Sequence, residues 1–314
     1  MQYPQMLSCN ICPRNCGIDR TIQPGFCGVT QNLKVNLVTK HFGEEPPLTG
    51  NRGSGTIFFS GCNLRCVFCQ NYEISTGGKG KYITEDKLIE LMLNLQKEGA
   101  HNINLVTPTH YTPQIRESLI TAKKEGLTIP VVWNSSAYEK VETLQTLKGL
   151  IDIYLPDFKY AHKIYAGKYS SALDYPSFAL AAIKEMFAQT GLLEIDQQGI
   201  AQQGMIIRLL ILPDGLSGCK ENLRLLADEL NLNITLSLMG QYYPAGKAMN
   251  YKELSRGITE KEYQDVVDTA LELGFTNIYT QEISHSDVWT PDFSNAPEEL
   301  NPCSEFNPQK KQTL

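Results

Sequence analysis

Three cysteines, Cys62, Cys66 and Cys69, fall within Gly61-Cys62-Asn63-Leu64-Arg65-Cys66-Val67-Phe68-Cys69 at the spacing C-x3-C-x2-C. Three thiolates this close can wrap one face of an iron–sulfur cube, and such clusters are held by Cys thiolates. The run has no fourth cysteine, so one iron would be open to an outside ligand. An open position favours chemistry over electron relay, by the logic that separates catalytic from structural zinc sites. A zinc knuckle with a distant fourth ligand is the alternative. A second group lies upstream: Cys9, Cys12 and Cys16 at C-x2-C-x3-C, then Cys27 between Phe26 and Gly28. Four thiolates make a closed site, either structural zinc or a second iron–sulfur cluster. Gly25 and Gly28 permit the tight turns of a metal knuckle. Cys219 and Cys303 stand alone, and Cys219 is expected to be inert.

The elements that must position these thiols follow from periodicity. From residue 55, short apolar runs alternate with helical segments. The runs are Thr56–Ser60, Ile103–Thr107, Pro130–Asn134, Ile151–Leu155, Met205–Leu212, Ile234–Met239 and Thr276–Thr280. Runs apolar on both faces suit buried parallel strands. Helices are predicted at Glu85–Gly99, Gln114–Glu125, Lys140–Leu147, Ser177–Thr190, Lys220–Leu230 and Glu260–Leu273. The first carries Thr84 as its cap and sets Leu88, Leu91, Met92 and Leu95 on one face. Strand–helix alternation implies an α/β fold with a parallel sheet, here a partial or complete TIM-like (β/α) barrel. A doubly wound sheet is the alternative. The triad directly follows the first strand, at the strand end where α/β enzymes place their active sites.

Three regions are expected. Residues 1–50 show little periodicity and read as a small metal-stapled extension, too short to bury a core alone. Residues 51–282 form the barrel. Residues 283–314, rich in Pro, Asn and Ser, are expected to pack as an extended flap or to be partly disordered. A net charge of -6 with dispersed lysines gives no basic face for nucleic acid. No apolar run reaches membrane-spanning length, and the start MQYPQMLSCNICPRNC lacks the pattern of a signal peptide. A cytoplasmic location, with reduced thiols, is therefore expected.

C-x3-C-x-aromatic-C after the first strand resembles the radical S-adenosylmethionine (SAM) superfamily. The stretch GSGTIFFSGCNLRCVFCQNYEIS is similar to the branch related to pyruvate formate-lyase activating enzymes, among them homologues with a cysteine-rich N-terminus. The resemblance implies a [4Fe-4S] cluster on Cys62, Cys66 and Cys69, with SAM bound through its amino and carboxylate groups at the open iron. Reductive cleavage would yield a 5′-deoxyadenosyl radical that abstracts a hydrogen atom, an oxidoreductase chemistry in which the protein orients and excludes water.

It also implies SAM contacts residue by residue. Phe68 resembles the aromatic near the SAM adenine, with core packing as its other role. The family's Gly-Gly-Glu segment after the second strand is replaced by Thr107-Pro108-Thr109-His110, a departure that removes a carboxylate. Thr107 and Thr109 still offer oxygen acceptors, and His110 is either a substrate-side acid or base or a structural histidine. Asn134-Ser135-Ser136 lies where the family places ribose-binding groups, although such clusters also cap helices. Asp157-Phe158-Lys159 resembles an Asp-x-Lys segment whose lysine approaches SAM; a solvated ion pair is the alternative. Arg208 is a charge inside an apolar run and needs a partner, and its fork suits the SAM carboxylate. Gln241 and Tyr242 are weaker candidates for the mouth.

The expected substrate is a protein or peptide, with a glycyl radical on a partner enzyme as product and a flavodoxin- or ferredoxin-type donor as reductant. A radical SAM enzyme for a small molecule, or one that modifies a protein side chain, is the first alternative. A non-catalytic metal-stabilised binding module is the second.

Overall fold

The computed structural model describes residues 3–284, 286–293, 300, 305 and 306. Cys303 and most of the expected C-terminal flap beyond residue 293 lie outside them. The strands are β1 Lys34–His41, β2 Ser54–Phe59, β3 Lys81–Tyr82, β4 Ile103–Val106, β5 Val131–Ser135, β6 Ile153–Pro156, β7 Glu194–Ile195, β8 Ala201–Leu210, β9 Thr235–Met239, β10 Asn277–Thr280 and β11 Glu305–Phe306. The helices are α1 Pro4–Leu7, α2 Pro46–Thr49, α3 Tyr72–Ser75, α4 Glu85–Lys97, α5 Thr112–Lys124, α6 Val141–Gln145, α7 Lys163–Ser170, α8 Tyr175–Thr190, α9 Cys219–Glu229 and α10 Glu260–Glu272.

The sheet runs β10-β9-β8-β6-β5-β4-β2-β1-β11. From β2 to β10 every neighbour is parallel. Each of these strands lies beside its predecessor in the series, with no reversal of direction. A doubly wound sheet would reverse at a switch point, so the order is that of an open (β/α) barrel. All residues of β2, β4, β5, β6 and β9 are buried, which is why their sequences read as unbroken apolar runs. The outer face packs against the helices. In α4, Leu88, Ile89, Leu91, Met92 and Leu95 are buried, and Thr84 caps the helix by accepting from the Lys87 amide.

The inner face has its own small core. Val132, Ile153, Leu155, Ala201 and Ile206 close around Leu48. Leu48 sits on α2, between β1 and β2, and plugs the barrel at the N-terminal ends of its strands. The Asn102 amide donates to the Leu48 carbonyl at 2.8 Å and accepts from the Ser54 hydroxyl at 2.6 Å.

The division at residue 50 does not match the structure. β1 pairs antiparallel with β2 across its length, so residues 34–50 belong to the barrel. A bulge between Val35 and Leu37 breaks the alternation of β1, which hid it as a strand. Residues 3–33 keep a separate small core of Tyr3, Met6, Cys9 and Ile11. In the tail, Phe293 packs edge-on against Phe58 with ring centroids 5.2 Å apart, and β11 pairs parallel with β1. Helix α7 also went unread; its sequence KIYAGKYS has no apolar stripe. Among the described residues no helix is long and apolar enough to cross a membrane.

Candidate active site

β2 ends at Phe59, and the chain turns at Gly61 into the cysteine loop. Gly61 has φ +86°, and a Cβ there would meet the Cys27 carbonyl oxygen at 2.8 Å. Only glycine allows this approach. It lets the Cys62 amide donate to the Cys27 carbonyl at 3.2 Å, joining the triad loop to the four-cysteine segment. On the other side the Val67 amide donates to the Tyr169 carbonyl at 2.8 Å. The loop is thus held between the N-terminal segment and the end of α7.

The three thiols line one cavity at the C-terminal ends of the parallel strands. Its wall also contains Phe68, Thr107, Asn134, Ser136, Asp157, Lys159, Arg208, Gln241 and Tyr242. Each thiol has a donor beside it. Cys62 Sγ accepts from the Leu64 amide at 3.3 Å and Cys66 Sγ from the Ser170 hydroxyl at 3.0 Å; Cys69 Sγ lies 3.3 Å from the Ser75 hydroxyl. Burial, followed by the neighbouring thiols, pushes Cys62 well above the usual thiol range and Cys69 up to about 11. Burial also raises Cys66, against the nearby Lys159 ammonium. Three thiols gathered in a desolvated place resist ionisation unless a cationic centre takes their charge, and a coordinating thiol is deprotonated outright. The donor set therefore fits a cluster with one iron left for a further ligand.

The same cavity is lined by a charge network. Arg208 donates through Nε to Asp157 Oδ1 at 2.6 Å, through Nη2 to Asn134 Oδ1 at 2.6 Å and through Nη1 to Glu44 Oε2 at 3.4 Å. Lys159 Nζ donates to Asp157 Oδ2 at 2.7 Å. Burial alone would raise Asp157, but Arg208 and Lys159 hold its carboxyl below the usual range. Burial works against the charges of Arg208 and Lys159, and the surrounding anionic groups, Asp157 foremost, more than restore both. The Asp157–Lys159 pair is not solvated: its side chains are 16% and 17% exposed. Arg208 lines the cavity as expected, yet all three of its nitrogens are engaged within the protein. Its fork is committed to holding the wall together.

Sequence reasoning missed the acidic side of this network. Glu44, with Gly43 and with His41 at the end of β1, enters the cavity from this part of the chain. Burial raises Glu44 against the pull of Arg208, and burial pushes Glu45 up to about 7. Burial and Arg208 drive His41 down to about 3, so it stays neutral. The two adjacent glutamates before Pro46-Pro47 were the only sequence signal. Nothing local indicates that this segment folds into the barrel.

One expectation fails on geometry. Thr107 has φ +58°, unusual for a β-branched residue. This turn presents Thr107 to the cavity and sends the following residues back into the core. Thr109 is buried at the foot of α5, where its carbonyl accepts from the Thr112 hydroxyl at 2.7 Å, and it does not line the cavity. His110 is also buried away from it. Its Nε2 is 2.9 Å from the Ser60 carbonyl, and burial followed by Arg20 lowers it to about 3. It is a structural histidine under the triad loop rather than an acid or base. Phe68 lines the cavity and packs edge-on against Tyr160 and Tyr242 at 6.3 and 6.0 Å. Ser136 lines the cavity, whereas the Ser135 hydroxyl accepts from the Ala137 amide at 3.2 Å.

In the upstream group, Cys9, Cys12 and Cys27 are buried and Cys16 is half-buried. The Phe26 amide donates to Cys16 Sγ at 3.4 Å. Cys12 is pushed up to about 12 by burial, and Cys27, Cys9 and Cys16 each add to the rise. Among the described residues no three Cys, His, Asp or Glu side chains close to the spacing of a single metal ion, in either cysteine group. Cys219 is buried beside the Ser217 hydroxyl, and burial pushes it up to about 12.

Fold and site define an α/β barrel with three thiols gathered at the C-terminal strand ends. The radical SAM superfamily profile matches residues 56–172. An uncharacterised protein of Methanocaldococcus jannaschii is 30% identical over 278 residues, 87% of this chain and 77% of that one. A second uncharacterised protein of the same organism is 25% identical over 172 residues, 46% of this chain and 50% of that one. The chain belongs to the radical SAM superfamily, whose members carry a [4Fe-4S] cluster and use SAM. Among solved structures it is similar to Streptococcus suis SuiB bound to precursor peptide SuiA (14% identity, TM-score 0.49, 70% of this chain and 46% of that one). It is also similar to the FeFe-hydrogenase maturase HydG from Carboxydothermus hydrogenoformans (14% identity, TM-score 0.48, 69% and 50%). The chain spans about half the length of these two structures.

Proposed function

We propose that this chain is a radical SAM enzyme that abstracts hydrogen from a protein or peptide, with a glycyl radical on a partner enzyme as the product. The observation that carries the reading is one cavity lined both by the three thiols and by the Lys159–Asp157–Arg208 network. Cys62, Cys66 and Cys69 would hold the [4Fe-4S] cluster. With SAM bound, the cluster would supply one-electron reductive cleavage of SAM and hence hydrogen-abstracting radical chemistry. Phe68 would pack against the adenine, and Ser136 would offer its hydroxyl to the ribose. Thr107 stands where the family's carboxylate segment is missing and would supply oxygen acceptors. Lys159, fixed by Asp157, would face the anionic end of SAM. Asn134 and Arg208 act through the wall they build, keeping Asp157 ionised and aimed. Pro291 closes part of the rim and helps exclude water.

Cys9, Cys12, Cys16 and Cys27 would hold zinc or a second iron–sulfur cluster. The reductant would be a low-potential flavodoxin or ferredoxin, in a cytoplasmic setting. The test is anaerobic incubation with SAM, a reductant and candidate glycyl-radical enzymes from the same cell. A glycyl doublet in the EPR spectrum is expected. SAM cleavage without a doublet on any such enzyme would move the target to a small molecule or a protein side chain.

A further inference from the structure

We propose that Ser170 sets the reduction potential of the cluster held by the triad, and that Arg14 positions it. The inference rests on the cluster-binding reading of Cys62, Cys66 and Cys69. Ser170 is the last residue of α7 and is fully buried. Its hydroxyl donates to Cys66 Sγ at 3.0 Å, shorter than the contacts to Cys62 and Cys69. The Tyr160 hydroxyl lies 2.8 Å from Ser170 Oγ. Burial keeps Tyr160 a phenol, so its proton can serve the serine oxygen and leave the serine proton for the sulfur.

The geometry at the helix end is imposed from outside. Ser171 has φ +54° and ends α7 in the left-handed region. Arg14 donates to the carbonyls of Ser170, at 3.2 Å, and Ser171. Its Nε donates to the Asn63 carbonyl, next to Cys62, at 2.7 Å. One guanidinium therefore ties the triad loop to the end of α7. Arg14 sits between Cys12 and Cys16 and stacks on Phe26 at 3.8 Å. Its place is set by the four-cysteine segment.

A hydrogen bond to a ligating thiolate is worth more when the cluster carries an added electron, because the sulfur then bears more negative charge. Such bonds are among the terms that set iron–sulfur potentials. The Ser170 bond raises the potential and eases entry of one electron, with no proton moved.

The test is an EPR-monitored redox titration of anaerobically reconstituted protein, with iron content measured alongside. Ser170→Ala should load the same iron and titrate at a more negative midpoint. Ser170→Thr, which keeps the hydroxyl, should stay near wild type. Arg14→Ala should move in the same direction by less. An iron-loaded Ser170→Ala that titrates with wild type overturns the inference while leaving the cluster reading intact. If Ser170→Ala fails to load iron, Arg14→Ala carries the test, and an unmoved midpoint there overturns it. A wild-type protein that binds no cluster overturns the underlying reading and this inference with it.

Discussion

Asp157 is the hinge of the charge network, and its removal has a calculable consequence. In Asp157→Ala, Arg208 loses its 2.6 Å partner and Lys159 its 2.7 Å partner. Both cations stay where they are, with side chains 14% and 17% exposed. Breaking a buried pair by deleting one member costs about 3–5 kcal/mol, because the other charge is left unpaired. Unfolding entropy near 2.1 cal/mol/K per residue gives roughly 0.7 kcal/mol/K for a chain of 314 residues. Tm should fall by about 5–8 °C. The pH dependence has a definite sign. Asp157 is depressed in the fold, so its contribution is fully present above the unfolded carboxylate value of about 3.9 and is lost as pH falls through the lower folded value. The deficit of the variant should be constant between pH 5 and 8 and close only under stronger acid. Calorimetry at several pH values measures this, with Asp157→Ala/Arg208→Met as control. The double variant should be less unstable than the sum of its singles. A variant within about 1 °C of wild type, or strict additivity in the double, would refute the network as a stabilising unit.

Three further predictions follow from the site. Glu45 is raised to about 7 in the fold, so its contribution is present below about 4.5 and lost as pH rises through 7. Glu45→Gln should thus gain stability over wild type at pH 8 more than at pH 5, and equal gains in denaturant titrations would contradict the assignment. Gly61→Ala forces a Cβ against the Cys27 carbonyl oxygen at 2.8 Å and adds left-handed strain, together about 1–3 kcal/mol. It should fold by circular dichroism yet hold less iron, and a wild-type iron content would count against the tight link between the two cysteine segments. Leu48→Ala empties the barrel plug and should cost about 2–5 kcal/mol in urea unfolding; a loss below 1 kcal/mol would mean that the plug carries little of the packing.

The sequence revealed most where chemistry was local. The cysteine triad is readable because its spacing is set within one loop. The seven parallel strands are readable because burial on both faces leaves unbroken apolar runs. Arg208 stood out as a charge in such a run, and its partner Asp157 stood out independently. What was not legible depends on distant chain segments. Glu44 meets Arg208 across 164 positions, and Ser170 meets Cys66 across 104. β1 was lost to a bulge, and α2 was too short to have a period. Thr109 was expected in the cavity because it falls in the stretch that replaces the family's Gly-Gly-Glu segment. The left-handed turn at Thr107 redirects the chain after that residue, and the Thr109 side chain is returned to the core.

The central claim is that Cys62, Cys66 and Cys69 hold the cluster at which SAM is cleaved. Release of 5′-deoxyadenosine from SAM under dithionite, by anaerobically reconstituted protein, tests it most directly. Wild type should release it. Cys66→Ala should not, even with the upstream four-cysteine segment intact. Wild type that carries an intact cluster and releases none, or Cys66→Ala that releases as much as wild type, would contradict the account.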